Sequence, residues 1–271
     1  MKYVSRSCPV CGSSANIFLH LFSKDCWQTV KCQECSMVYI QNPPDYDTLS
    51  KDYEWNTSSA NERKRRRNNR KVYYFFSDKA RQIKRILRRH RRKEMISIDS
   101  LYNSGNFLDI GCGNGGTLKH INKKYTPYGI EISESLSKEA NEYCIKNGGM
   151  VICADSYSGL QSFESSFFDI VLLRSYLEHE YQPLPVLREV NRVLKKDGIA
   201  IIKVPNFDCW NRRLRGLGWP GFRFPDHVNY FTPKTLKEIV EHSGLKIDNF
   251  SLMEHLPTSD NMWLYAKKGS E

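Results

Sequence analysis

The run Asp109-Ile110-Gly111-Cys112-Gly113-Asn114-Gly115-Gly116 places an acid beside a cluster of glycines, and a second acid, Glu131, follows Asp109 by 22 residues. Glycines let a backbone turn sharply against a ligand where a Cβ would collide, and a carboxylate one βα unit later can accept both hydroxyl hydrogens of a ribose. The chemistry this suits is the holding of a nucleoside cofactor. Gly111, Gly113 and Gly116 also satisfy G-x-G-x-x-G, so spacing alone leaves a dinucleotide open. Asp109 weighs against it, because a carboxylate at that position repels a pyrophosphate and attracts an ammonium or sulfonium group. S-adenosylmethionine carries both cations.

A second constellation is metal-binding. Cys8-Pro9-Val10-Cys11 and Cys32-Gln33-Glu34-Cys35 form C-x2-C-x20-C-x2-C, in which two tight knuckles turn four sulfurs toward one zinc ion. Two disulfides or four unrelated thiols are the alternatives, and the chain has no secretory features that favour them. A closed four-thiolate site leaves no open position for catalysis, so the ribbon is expected to be a scaffold or a docking module. The other five cysteines, Cys26, Cys112, Cys144, Cys153 and Cys209, read as packing residues.

The elements that must position these groups are legible around them. Leu108 and Ile110 suit a buried parallel strand leading into the glycine turn, and Tyr128-Gly129-Ile130-Glu131 suits the next. Asp109 to Gly115 resembles the first motif of class I S-adenosylmethionine-dependent methyltransferases, and the Tyr128 to Glu131 segment resembles their ribose-binding strand. Val151-Ile152-Cys153-Ala154-Asp155-Ser156 is similar to the segment whose acid meets the adenine amino group. Phe168-Asp169-Ile170-Val171-Leu172-Leu173 resembles the fourth strand, and residues 187–204 resemble the helix, glycine turn and fifth strand.

The resemblance spans residues 104–267. It implies a doubly wound, Rossmann-like α/β fold with a seven-stranded sheet, closed by an antiparallel pair at residues 246–250 and 262–267. It also implies a cofactor-binding set of Asp109, Gly111, Cys112, Gly113, Glu131, Ile132, Asp155, Ser156 and Arg174.

The acceptor is less constrained. The Asn/Asp-Pro-Pro-aromatic loop of exocyclic-amine methyltransferases and the Pro-Cys of cytosine-C5 enzymes are both absent after the fourth strand. Asn42-Pro43-Pro44-Asp45 lies behind the ribbon and is a decoy. Leu177-Glu178-His179 resembles the loop of ubiquinone-biosynthesis O-methyltransferases, in which two acids and this histidine are associated with a divalent metal. Here Ser175 replaces the first acid, which leaves a catalytic metal out of the expected site.

Residues 210–231 form a long loop of aromatic and basic character, with Trp219, Phe222 and Tyr230 suited to stacking on a sugar and Arg212, Arg213, Arg215 and Arg223 suited to phosphate. The segment Asp226-His227-Val228-Asn229-Tyr230-Phe231 resembles one in bacterial methyltransferases of polysaccharide and small-molecule pathways. His227 is the first-choice base for a hydroxyl acceptor, with Glu178 and His179 next. The bland alternatives are that Glu178 and His179 only shape the cleft floor and that His227 caps the following helix.

The chain of 271 residues carries a net charge of +11, and residues 62–94 alone hold 16 basic and 3 acidic side chains. A helical stripe there, Ala80, Ile83, Ile86, Leu87 and His90, can pack while the remaining faces stay charged. Such a helix suits a solvated face, a phosphate-bearing substrate, or a nucleic-acid or anionic-membrane surface. Tyr73, Tyr74, Phe75 and Phe76 before it suit a lid over the cofactor.

The expected organisation is a zinc ribbon (1–45), a basic helical linker and lid (46–104) and a methyltransferase domain (105–271). The expected activity is methyl transfer to a sugar or other small acceptor, free or linked to a nucleotide or lipid. Methylation of RNA gripped by the ribbon and basic helix is the alternative, and a binding protein that has lost catalysis is a third. The most apolar short run, residues 199–204, already contains Lys203 and is too short to cross a bilayer, and no signal peptide is visible, so a cytoplasmic location is expected.

Overall fold

A computed structural model describes residues 4–44 and 102–269. The basic segment and its aromatic cluster lie outside the described residues. Apolar runs build a sheet of seven strands in the order β10-β11-β8-β7-β4-β5-β6. Five of them are parallel: β4 (Gly105–Ile110), β5 (Tyr125–Glu131), β6 (Met150–Cys153), β7 (Phe168–Arg174) and β8 (Leu194–Pro205). The closing pair, β10 (Lys246–Asn249) and β11 (Asn261–Lys267), is antiparallel as expected.

Strand β7 is buried at every position before Arg174, the pattern of a parallel strand covered on both faces. Its one buried acid, Asp169, is satisfied by Lys195 Nζ at 2.8 Å and by the Asn106 backbone N–H at 2.7 Å. Helices α1 (Glu134–Lys146), α2 (Ser156–Gln161) and α3 (Pro183–Val193) cover the sheet, followed by α4 (Trp210–Arg215) and α5 (Pro233–His242). In α3, Val186, Leu187, Val190 and Val193 recur at helical spacing and are buried. Thr232 and Thr235 cap the start of α5 reciprocally, so the helix after the long loop is not capped by His227.

From β4 the chain runs outward through β5 and β6, then returns to β7 and β8 on the other side. The reversal between β4 and β7 opens a crevice at the carboxyl ends of the strands, where open α/β sheets bind ligands. Asp109, Glu131 and Arg174 all stand at those ends.

The N-terminal ribbon is not a free-standing body. Residues 1–45 and 105–271 form one compact unit. Strands β1 (Asn16–Phe18), β2 (Thr29–Cys32) and β3 (Val38–Ile40) are joined by β9 (Asn229–Tyr230) from the long loop, with Val38 opposite Tyr230 and Tyr39 opposite Asn229.

Arg6 fastens the junction. Its guanidinium donates to Ile40 O at 2.9 Å, Tyr181 O at 3.1 Å, Val228 O at 2.5 Å and Asn229 Oδ1 at 2.9 Å. Charged donors make the stronger hydrogen bonds, and carbonyls left unpaired by truncation lose their partners outright. Arg6→Ala is therefore expected to destabilise the chain by about 2–4 kcal/mol, read as a lowered denaturant midpoint.

Candidate active site

The glycine loop turns immediately after β4. Gly111 and Gly113 have φ of 71° and 54°, conformations that favour glycine. A Cβ on Gly111 would sit 2.8 Å from the Tyr176 ring, whereas one on Gly113 would meet nothing within 4 Å, so Gly113 borders open space. The Gly111 and Cys112 N–H groups donate to Ile130 O, locking the loop to β5. Glu131 receives the N–H groups of Gly113 at 2.8 Å and Ser133 at 2.9 Å, which fixes its carboxylate while leaving lone pairs for a further donor. Ile132 beside it is exposed.

Asp109 is buried, and burial pushes its carboxyl up to about 7 against the opposing pull of Arg174 and Thr117. Arg174 reaches across the crevice to donate to Thr117 Oγ1 at 3.0 Å. Cys112 is buried, and burial keeps its thiol neutral.

At the far end, Asp155 is the N-cap of α2 and accepts from the Ser158 N–H at 2.9 Å. Burial pushes its carboxyl up, but hydrogen bonds from the Ser158 side chain and nearby backbone outweigh that and hold it below its ordinary value. Ser156 donates to Glu180 Oε2 at 3.1 Å, and the Tyr176 hydroxyl lies against both groups, 2.5 Å from that oxygen. Tyr176 and Glu180 thus connect the glycine loop, the start of α2 and the segment after β7. Neither residue belongs to the expected site.

The other wall comes from two distant segments. The backbone N–H groups of Val228 and Asn229 donate to Glu178 O, and the Asn229 amide donates to Leu177 O and Glu180 O. These bonds lay the long loop against the β7 exit. They bring one donor atom each from Glu178, His179 and His227 within 4.8 Å of one another. His179 Nδ1 is 2.9 Å from Asp226 Oδ1 and 2.9 Å from Asp226 O, and His227 Nδ1 is 2.8 Å from Gly221 O. All three partners are oxygens, so Nδ1 of each ring carries the hydrogen and donates, leaving Nε2 with its lone pair.

Asp226 also pairs with Arg223 at 2.5 Å. Burial alone would lower His179, but the Asp226 carboxylate prevails and raises it. His227 is lowered well below its ordinary value, first by burial and then by His179. The first-choice base is thus a buried histidine that holds a proton less readily than an exposed one. Glu178 is 1% exposed, burial raises its carboxyl, and its Oε2 has no hydrogen-bond partner among the described residues.

The aromatic loop departs from expectation. Trp219, Phe222 and Tyr230 do not face an acceptor; they are buried and pack with Phe207, Trp27, Val38 and Ile40 into a core shared with the ribbon. Arg212 lies over the Phe207 and Phe22 rings and donates to Phe207 O, and Arg223 is committed to Asp226. Of the four arginines suited to phosphate, Arg213 is the exposed one. Apolar rings in a loop are drawn inward when a second hydrophobic surface, here the ribbon, is available to cover them.

The four ribbon cysteines form the second site. Cys8 Sγ lies 3.4 Å from Cys35 Sγ, Cys11 Sγ lies 3.5 Å from Cys32 Sγ, and all four sulfurs fall within 4.8 Å of one another. No two cysteines are joined by a disulfide in this structure.

Comparison with known proteins follows the same outline. A family model described as a methyltransferase domain matches residues 62–249. An uncharacterised protein of Methanocaldococcus jannaschii is 28% identical over 142 residues, covering 52% of this chain and 65% of that protein. The chain therefore spans less than two thirds of that relative's length. A ubiquinone biosynthesis O-methyltransferase of Methylococcus capsulatus is 25% identical over 175 residues, covering 60% of this chain and 72% of that one. Among solved structures, a SAM-dependent methyltransferase of Methanosarcina mazei aligns with a TM-score of 0.50 at 23% identity, over 65% of this chain and 98% of that chain, a likeness of fold.

Proposed function

Since this chain belongs to the methyltransferase-domain family, we propose that it is an S-adenosylmethionine-dependent enzyme that methylates a hydroxyl of a sugar or other small acceptor, free or linked to a nucleotide or lipid. The observation that carries this reading is the meeting of Glu178, His179 and His227 beside the cofactor crevice. A proton leaving an acceptor hydroxyl needs such a cluster of lone pairs. The relative named as an O-methyltransferase supports the same choice of acceptor atom.

The residues fit the cofactor. Asp109 is a buried carboxyl suited to an ammonium group, Glu131 is held with free lone pairs for a ribose, and Gly113 borders open space. Asp155, the N-cap of α2, is the residue this reading assigns to the adenine amino group. Gly111, Cys112, Ile132, Ser156 and Arg174 complete the lining. When bound, S-adenosylmethionine supplies a methyl group on a sulfonium whose sulfur departs with the carbon–sulfur electron pair. The chain's own part is to hold the acceptor oxygen in line, keep water out and receive the hydroxyl proton on the Glu178–His179–His227 cluster as the new oxygen–carbon bond forms.

The same reading assigns a zinc ion to Cys8, Cys11, Cys32 and Cys35. Sulfurs about 3.8 Å apart surround a tetrahedral zinc with bonds of about 2.3 Å, close to the spacing observed. That ion is structural, because four thiolates fill its coordination. No described helix is long and apolar enough to cross a membrane.

Asp109 makes cofactor binding pH-dependent. Burial raises its carboxyl from 3.8 to about 7, so the stability it contributes to the free protein is full below about pH 4 and is lost as pH rises through about 7. Binding an ammonium group favours the carboxylate. Below about pH 7 the site must release a proton to bind, and affinity is expected to fall about tenfold per pH unit and to level off above. Calorimetric titration across the neutral range checks this, and Asp109→Asn is expected to weaken binding and flatten the profile.

The acceptor class is tested by incubating the full chain with methyl-labelled cofactor and a cell extract divided into nucleic-acid and small-molecule fractions. Label in the small-molecule and glycan fraction at an alkali-stable ether is the expected result. Label confined to RNA, with activity falling steeply as salt rises, would replace this reading with the RNA-directed one.

A further inference from the structure

The segment after β7 is held from two sides. Ser175 stands at φ of 57°, in the left-handed region that a serine occupies at a cost. Two bonds to Lys203 fix it there: the Ser175 N–H donates to Lys203 O at 2.8 Å, and its Oγ accepts from Lys203 Nζ at 2.8 Å. The next residue, Tyr176, lays its ring against the glycine turn, where a Cβ on Gly111 would come within 2.8 Å of it. Its hydroxyl lies against Ser156, which follows the Asp155 cap, and against Glu180 Oε2 at 2.5 Å. One side chain therefore touches both the glycine turn and the start of α2, the two segments assigned to opposite ends of the cofactor.

Glu180 carries these contacts to the other side. It is buried, its Oε1 accepts the Gln182 N–H at 2.9 Å, and its backbone carbonyl accepts the Asn229 amide at 2.6 Å. The same amide donates to Leu177 O at 2.8 Å, and Asn229 lies two residues beyond His227. The bonds from Tyr176 through Glu180 to Asn229 are buried or half-buried, where a hydrogen bond is stronger than in water.

We propose that Tyr176 is a positioning residue linking the two halves of the reaction: a cofactor held between the glycine turn and α2 fixes Tyr176, which through Glu180 fixes Asn229 and the loop carrying His227. The coupling needs no change of shape. A ligand that immobilises the groups on which Tyr176 rests removes freedom along the whole path, so the entropy of ordering the acceptor loop is already lost when the acceptor arrives. By reciprocity, an acceptor in the cleft tightens the cofactor by the same factor. Methyl transfer is sensitive to such ordering, because a misplacement of about 1 Å costs about 10²-fold in rate. This inference rests on the reading that Glu178, His179 and His227 serve the acceptor.

The test follows amide hydrogen exchange of the full chain with and without S-adenosylhomocysteine, the demethylated cofactor, a probe that needs no acceptor. In the parent, exchange at residues 226–230 is expected to slow by about tenfold on binding. Tyr176→Phe keeps the ring and loses the hydroxyl. It is expected to bind the probe within about threefold of the parent while the slowing falls below about twofold. Near-equal affinity keeps the general stabilisation by ligand the same, so the lost slowing isolates the path. Glu180→Gln is expected to behave likewise and the double variant to add nothing, because both act on one path. Methyl transfer to the extract fraction is expected to fall by about 10–10²-fold with a pH profile of unchanged shape, since Tyr176 orients the base and does not take the proton. No slowing in the parent, or full slowing in either variant once unfolding curves show it folded, overturns the proposal. Label going to RNA while the slowing behaves as expected leaves the coupling in place and removes the acceptor reading. Label in the small-molecule fraction with slowing undiminished in Tyr176→Phe does the reverse.

Discussion

Replacing Glu178 by Gln is expected to lower kcat by about 10²–10⁴-fold while leaving cofactor affinity within about twofold. The substitution preserves shape and removes only the charge and the basic lone pairs. Glu178 belongs to the cluster proposed to activate the acceptor, whereas the groups assigned to the cofactor hang from the ends of β4, β5 and β7 and the start of α2. Binding and turnover should therefore separate.

Stability supplies a second readout. A buried carboxylate with an unpartnered oxygen is costly to the fold, so the neutral amide is expected to leave the unfolding temperature unchanged or higher. Lost turnover with retained or raised stability marks a residue kept for chemistry. Turnover within about threefold of the parent, with saturating cofactor and acceptor, would return Glu178 to the role of cleft floor.

The second large effect is expected from the ribbon, to which no chemical step is assigned. Removing metal from the four thiolates, by chelation or by Cys32→Ser, is expected to abolish methyl transfer and to lower the unfolding temperature by about 10 °C or more. Structural zinc contributes on the order of 10–16 kcal/mol to folding its own segment, comparable with the whole stability of a typical domain. Cys32 ends β2, which pairs with β3, and β3 pairs with β9 of the long loop. Two residues before β9 lies His227. Loss of the ribbon thus uncovers Trp219, Phe222 and Tyr230 and releases His227 from Glu178 and His179.

Cofactor binding is expected to fall as well, though less than turnover, since the core that holds β4, β5 and β7 also takes in Val10, Val30, Met37 and Tyr39 of the ribbon. Thiol titration, metal content, calorimetry with cofactor and a thermal melt on one preparation check each part. A metal-free chain with full turnover would show that the thiolates are not a structural zinc site.

The sequence by itself determined the parallel strands and glycine turn of this protein and the two cysteine knuckles. Asp109, the glycines and Glu131 act within single strand-to-turn units, and the apolar runs around them dictate parallel strands whichever other parts of the chain surround them. The Cys-x2-Cys knuckles are likewise local. Such features are legible because backbone sterics and short-range spacing specify them.

Only the tertiary structure decided how the segment after β7 and the long loop meet. Glu178 and His227 are 49 positions apart, and their meeting depends on Asn229, the Glu178 carbonyl and strand β9, none of which carries a local signature of contact. Asp226, the partner that raises His179, gained its role only through that meeting. The loop's aromatic residues suited either an open pocket or a core. They became core because the ribbon supplied an apolar face to cover them, and burial of apolar area outweighs exposure when such a face is within reach. Arg6 remained unreadable for the same reason: its four acceptors come from three separate stretches of chain that only folding brings together.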